Sequence, residues 1–160
     1  MSDLFYVNAK IAVFPENRSR VKKTGRLHSQ MIVANLSGDF YKYYSWFFKK
    51  TFGLYLEPPP FGPHITIADG RKHLQCDFQK IMDLDGRTIK VAIHPDPYLY
   101  WRFFALQVKS KELELISNSL GLTCNREFHV TLGKIPEISE QSQNLLTRIL
   151  IPSEFKYGRY

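Results

Sequence analysis

Twice this chain sets out the same order of elements: a strand, a helix ending in Gly-Leu, and a second strand that opens on His-x-Thr. The first pass runs from a strand over Met31 to Asn35, through a helix ending at Gly53-Leu54, to Pro63-His64-Ile-Thr66-Ile67. The second runs from a strand over Phe103 to Val108, through a helix ending at Gly121-Leu122, to Phe128-His129-Val-Thr131-Leu132. Two β-α-β units in 160 residues suggest a duplicated lobe with pseudo-twofold symmetry, and a site between two such lobes would receive one motif from each. The length suits one domain made of two small lobes.

Other elements follow from periodicity. From Leu4 to Phe14, the apolar Phe5, Val7, Ala9, Ile11 and Val13 alternate with Tyr6, Asn8 and Lys10, the period of a half-buried strand. A basic connection with Arg18, Arg20, Lys22, Lys23 and Arg26 leads to a second strand, Gln30 to Leu36. Ser37 or Asp39 caps the first helix, Phe40, Tyr43, Tyr44, Phe47 and Phe48 recur at helical spacing, and Gly53 sits where a left-handed terminator belongs. Thr88 to Ile93 and Trp101 to Lys109 read as a hairpin around His94-Pro-Asp-Pro-Tyr98. Ser110 caps a second helix, with Glu112 and Glu114 near its positive end and Leu113, Ile116 and Leu120 on its buried stripe. A further helical stretch is expected over Ser139 to Ile149.

Composition narrows the class. Hydrophobic residues make up 44% and charged residues 23%, which is ordinary for a soluble globular chain. The two cysteines, Cys76 and Cys124, form no CxxC pair, so neither a zinc ribbon nor a dithiol redox motif is indicated. His28, His73 and His94 have no zinc-ligand spacing. Met1 to Lys10 lacks a basic head followed by an apolar stretch, and no apolar run approaches the roughly 20 residues that span a bilayer. The expectation is a cytoplasmic protein (the host cytoplasm if the chain is viral), with no membrane partner and no obligate protein partner. The formal charge of +7 favours encounter with a phosphate-bearing ligand, although charge alone selects none.

The doubled His-x-Thr carries the chemistry. On a strand, residues i and i+2 share a face, with α-carbons about 6.5 Å apart. Each motif therefore presents an imidazole beside a hydroxyl, while Ile65, Ile67, Val130 and Leu132 turn to the core. Two such pairs facing one phosphorus make a full acid–base set. One histidine takes a proton from the attacking water or ribose hydroxyl and the other protonates the leaving oxygen, roles suited to a group titrating near about 6.5. The threonine hydroxyls donate to the non-bridging oxygens. Lys10, Arg71 or Lys134 is a candidate cation beside them. The scheme requires no metal. The plain alternative is two strand histidines bonded to neighbouring threonines.

Two His-x-Thr-hydrophobic motifs far apart in a chain this short resemble the two-histidine phosphoesterase superfamily. It includes 2′-5′ RNA ligase-like enzymes, cyclic phosphodiesterases, and viral or phage enzymes that destroy nucleotide immune signals. The resemblance implies a bilobal α+β fold of pseudo-twofold duplicated β-α-β units, with two antiparallel sheets flanking a central basic cleft and helices outside, no metal or other cofactor, and His64, Thr66, His129 and Thr131 as catalytic residues. It implies a phosphodiesterase acting on a small nucleotide: a cyclic oligonucleotide, a 2′-5′ oligonucleotide or a 2′,3′-cyclic phosphate. A non-catalytic nucleotide or RNA binder and an RNA-repair factor are the alternatives.

Beyond the motifs, Tyr6 offers a ring on which a base can stack, and Tyr98 or Tyr100 can clamp one from the hairpin. Each has a plain alternative, an exposed face for Tyr6 and cross-strand packing for Tyr98 and Tyr100. Asp69 and Glu127 flank the motifs and read as packing or surface residues more readily than as partners that orient a histidine.

Overall fold

The computed structural model describes residues 3–15, 28–59, 62–74, 76–100, 103–122 and 127–134. The run from Arg18 to Arg26, Trp101, Cys124 and the helix expected over Ser139 to Ile149 lie outside them. Chain order is β1 (Phe5–Pro15), β2 (His28–Asn35), α1 (Gly38–Phe52), β3 (His64–Leu74), α2 (Phe78–Met82), β4 (Thr88–Ile93), β5 (Tyr98–Tyr100), β6 (Phe103–Lys109), α3 (Lys111–Ser119) and β7 (Phe128–Lys134).

The helix boundaries follow from their caps. The Ser37 hydroxyl accepts from Asp39 N and starts α1, and Gly53, at φ 66°, ends it. The Ser110 hydroxyl accepts from Leu113 N and starts α3. Two short elements escape the sequence reading. The five-residue α2 buries only Ile81, and β5 has three residues. The expected hairpin is corrected accordingly. β4 and β6 do pair, through Ala92↔Lys109 and Ile93↔Val108, but β5 intervenes in sequence and makes its own hairpin with the other end of β6.

The bilobal α+β expectation is overturned. All strands belong to one sheet in the order β4-β1-β2-β3-β7-β6-β5, and β4 also pairs with β6. Six strands thus close into an antiparallel barrel, with β5 as an extra strand on β6. The fold is mostly β. Two independent lobes would leave β3 and β7 as open edges with unpaired backbone groups, and joining those edges removes the exposure. Closure needs staggered pairing, and β1 provides it. Its first half, Phe5 to Lys10, pairs with β4, and its second half, Lys10 to Pro15, pairs with β2. Past the end of β4, the turn after α2 satisfies β1. Ile11 N donates to Arg87 O, Gly86 N to Ile11 O, and Val13 N to the Asp85 carboxylate.

The apolar face of the sheet and the buried stripes of all three helices form one core. It joins Ile11, Ile32, Ile65, Ile67, Phe104, Leu106, Val130 and Leu132 on strands to Tyr44, Phe48, Ile81, Leu113 and Ile116 on helices. The Phe48 and Phe104 rings meet at 4.5 Å between centroids and anchor α1. The opposite face of the sheet carries the polar residues.

Candidate active site on the polar face

The register brings both motifs together. β3 and β7 are antiparallel neighbours with His64↔Thr131 and Ile65↔Val130. Continuing that register sets Thr66 opposite His129. Ile65 and Val130 are fully buried in the core, so alternation turns His64, Thr66, His129 and Thr131 to the other face. Directly opposite residues have Cβ atoms about 5 Å apart and diagonal neighbours stand about 7–8 Å apart, so the two histidines are within reach of one tetrahedral phosphate. The motifs meet on adjacent strands of one sheet rather than across a cleft between two lobes.

The turn before β3 orients the first imidazole. His64 Nδ1 lies 2.8 Å from Gly62 O. A carbonyl can only accept, so this bond places a proton on Nδ1. Gly62 adopts φ 70°, a left-handed conformation that a side chain would strain. Its N–H donates to Pro59 O at 2.9 Å, fixing the carbonyl that holds the ring. His64 is 6% exposed, while Thr66, His129 and Thr131 are half-buried.

Neighbouring strands extend the site into two rows. In the first, Lys10 pairs with Asn35, Asn35 with His64, His64 with Thr131, Thr131 with Ala105, and Ala105 with Tyr98. In the second, Val33 pairs with Thr66, and Gln107 pairs with His129. Each imidazole therefore has a carboxamide on its outer neighbour, Asn35 beside His64 and Gln107 beside His129. Asn35 Oδ1 is buried with no hydrogen-bond partner. Such an acceptor costs about 1–3 kcal/mol unless a donor arrives, and a bound ligand is one source of that donor. Neither amide was found in the sequence, because their position beside a histidine depends on which strands pair.

The remaining expected residues are scattered. Lys10 shares the first row, but its Cε lies 4.0 Å from the Cβ position of Gly86, toward the turn before β4. Tyr98 ends that row, only 8% exposed, with Ala105 between it and Thr131. Lys134 ends β7, its ammonium 3.7 Å from the Glu57 carboxylate. Tyr6 lies further along β1, 64% exposed, with Lys90 Nζ 5.1 Å from its ring centroid. Arg71 belongs to β3 and Tyr100 to β5, but their side chains are outside the described part. Among the described residues no group of three or more His, Cys, Asp or Glu could hold a metal ion, and no helix is long and apolar enough to cross a membrane.

No protein-family model, curated protein or solved structure matches the chain.

Proposed function

We propose that the chain is a phosphodiesterase that works without a metal and cleaves a ribose-linked phosphodiester of a small nucleotide. The observation that carries this reading is the pairing of His64 with Thr131, which gathers two imidazoles and two hydroxyls on one face of two adjacent strands. One histidine withdraws the proton from the attacking water or ribose hydroxyl as its oxygen bonds to phosphorus. The other delivers a proton to the departing ribose oxygen as its bond breaks. Thr66 and Thr131 donate to the non-bridging oxygens, where charge is held in the transition state. The Gly62 carbonyl keeps the His64 ring oriented so that Nε2 does the exchange. The resemblance to two-histidine phosphoesterases points the same way and supplies the substrate class: 2′,3′-cyclic phosphates, 2′-5′ oligonucleotides or cyclic oligonucleotides.

The test is turnover of that panel by the full chain in excess EDTA, with product analysis. Cleavage of at least one member, lost in His64→Ala and in His129→Ala, is the expected result. Binding without cleavage across the panel would leave a nucleotide-binding protein and overturn the proposal. Undiminished cleavage in both variants would overturn it too.

A further inference from the structure

A depression of about 420 Å³, open to solvent, lies on the same polar face as the histidines, where β1, β4 and β6 meet the start of α3. Tyr6, Lys90, Lys109, Lys111 and Glu112 line it. The register explains the grouping. Tyr6 pairs with Ala92 and Ala92 with Lys109, while Asn8 pairs with Lys90. Val108 on β6 and Ile89, Val91 and Ile93 on β4 are buried in the core, so Lys109 and Lys90 turn to the face that carries the motifs.

Charge in this cavity is one-sided. Its one carboxylate, on Glu112, is engaged by Arg87 at 2.7 Å. Three lysines and an exposed tyrosine therefore share its lining, with the Lys90 ammonium 5.1 Å from the centre of the Tyr6 ring. Ammonium groups bind phosphate as point charges, and a tyrosine face stacks on a nucleobase regardless of its identity. The N-terminal end of α3 adds partial positive charge at the same rim.

The cavity is also close to the motifs. Lys109 is two residues from Gln107, and Gln107 pairs with His129. One strand step and two residues of rise put the α-carbons of Lys109 and His129 roughly 8 Å apart. A flexible lysine covers much of that distance.

We infer that this cavity receives a second phosphate and its base, so that the ligand of this protein is an oligonucleotide with at least two phosphates. One phosphate lies at the histidines. The next is held by Lys90, Lys109 and Lys111, with its base against Tyr6. The identity of the first position rests on the phosphodiesterase reading; the basic aromatic cavity does not.

The experiment uses the double variant His64→Ala/His129→Ala, so that no ligand is consumed, and measures binding by calorimetry. The probes are a cyclic dinucleotide, a 5′-phosphorylated 2′-5′ dinucleotide, and a 2′,3′-cyclic mononucleotide with a single phosphate. Adding Lys109→Ala and Lys111→Ala is expected to weaken at least one two-phosphate probe tenfold or more. Tyr6→Ala is expected to weaken it several-fold. The mononucleotide should change less than twofold, and the dependence of binding on salt should become shallower for the two-phosphate probe alone. Thermal melts verify that the exposed lysine variants stay folded. An equal loss for all probes, no loss for any, or no binding of either dinucleotide would overturn the inference. If wild-type protein cleaves nothing yet the lysine-dependent preference stands, the phosphodiesterase reading fails and the cavity remains a nucleotide site. If it cleaves but the lysines are indifferent, the reverse holds.

Discussion

The barrel has two narrow seams, and they carry different chemistry. β1 pairs with each of its neighbours through six residue pairs, whereas β3 meets β7, and β4 meets β6, through only two. At the β3–β7 seam the polar face holds imidazoles, hydroxyls and carboxamides, groups that exchange protons and donate directed hydrogen bonds. At the β4–β6 seam it holds ammonium groups and a tyrosine, which attract anions and rings but do little bond chemistry. Strand ends at a seam can leave the ladder, and side chains there can face a ligand rather than a neighbouring strand. On the proposed phosphodiesterase reading this is a division of labour, with reaction at one seam and retention at the other.

The largest expected break in that comparison comes from the histidines. His64→Ala and His129→Ala should each lower kcat by about 10²–10⁴-fold while leaving dinucleotide binding at the β4–β6 seam nearly intact, as read by turnover and calorimetry on the same preparations. Next come the hydroxyls. Thr66→Val and Thr131→Val should each reduce kcat by roughly 10²-fold, with little change in KM, because the lost donors act on charge held in the transition state.

Gly133→Ala tests how firmly the end of β7, just past the β3–β7 seam, is anchored to Leu56 and Glu57. A Cβ there would stand 2.5 Å from Glu57 O and 3.3 Å from Leu56 Cβ. Glu57 and Lys134 exchange both backbone hydrogen bonds across this point. The substitution should cost about 1–3 kcal/mol by overpacking, seen as a lower denaturant midpoint.

The smallest effect belongs to the β4–β6 seam. The Tyr44 hydroxyl donates to Pro95 O at 2.9 Å, tying α1 to the connection after β4. Tyr44→Phe should cost about 1 kcal/mol. Burial first, then the charges of Tyr43 and Asp96, push the Tyr44 hydroxyl well above its ordinary value. The folded chain therefore keeps this proton where the unfolded chain releases it, so the contribution is complete below about pH 10 and declines as pH rises beyond that. Denaturation curves at rising alkaline pH should fall more steeply for the wild type than for the Phe variant.

What was legible in the residues was mostly local. The alternation from Phe5 to Val13, the caps at Ser37 and Ser110, and the Gly53 terminator each act within one turn or one strand, and each lies where the letters place it. The α2 helix and β5 were hidden because five residues with one buried contact, and three residues after two prolines, are too short for a period to register. Closure was hidden for a different reason. Whether β3 seeks β7 or keeps an open edge depends on distant backbone groups that carry no side-chain signature. The four motif residues stood out because their spacing is itself a pattern, and the register sets them side by side. Asn35 and Gln107 were not, since an amide on a strand looks alike whether its neighbour is a histidine or a valine.

β7 lies between β3 and β6, yet it is the last described strand in the chain. A growing or refolding polypeptide must therefore hold two open edges until residues 128–134 arrive. Such long-range pairing slows folding. Because that strand brings the second imidazole, the two motifs should come together only when the barrel is shut, and if the chain is the proposed phosphodiesterase, partly assembled chains should be inert toward nucleotides while their exposed edges invite association with one another.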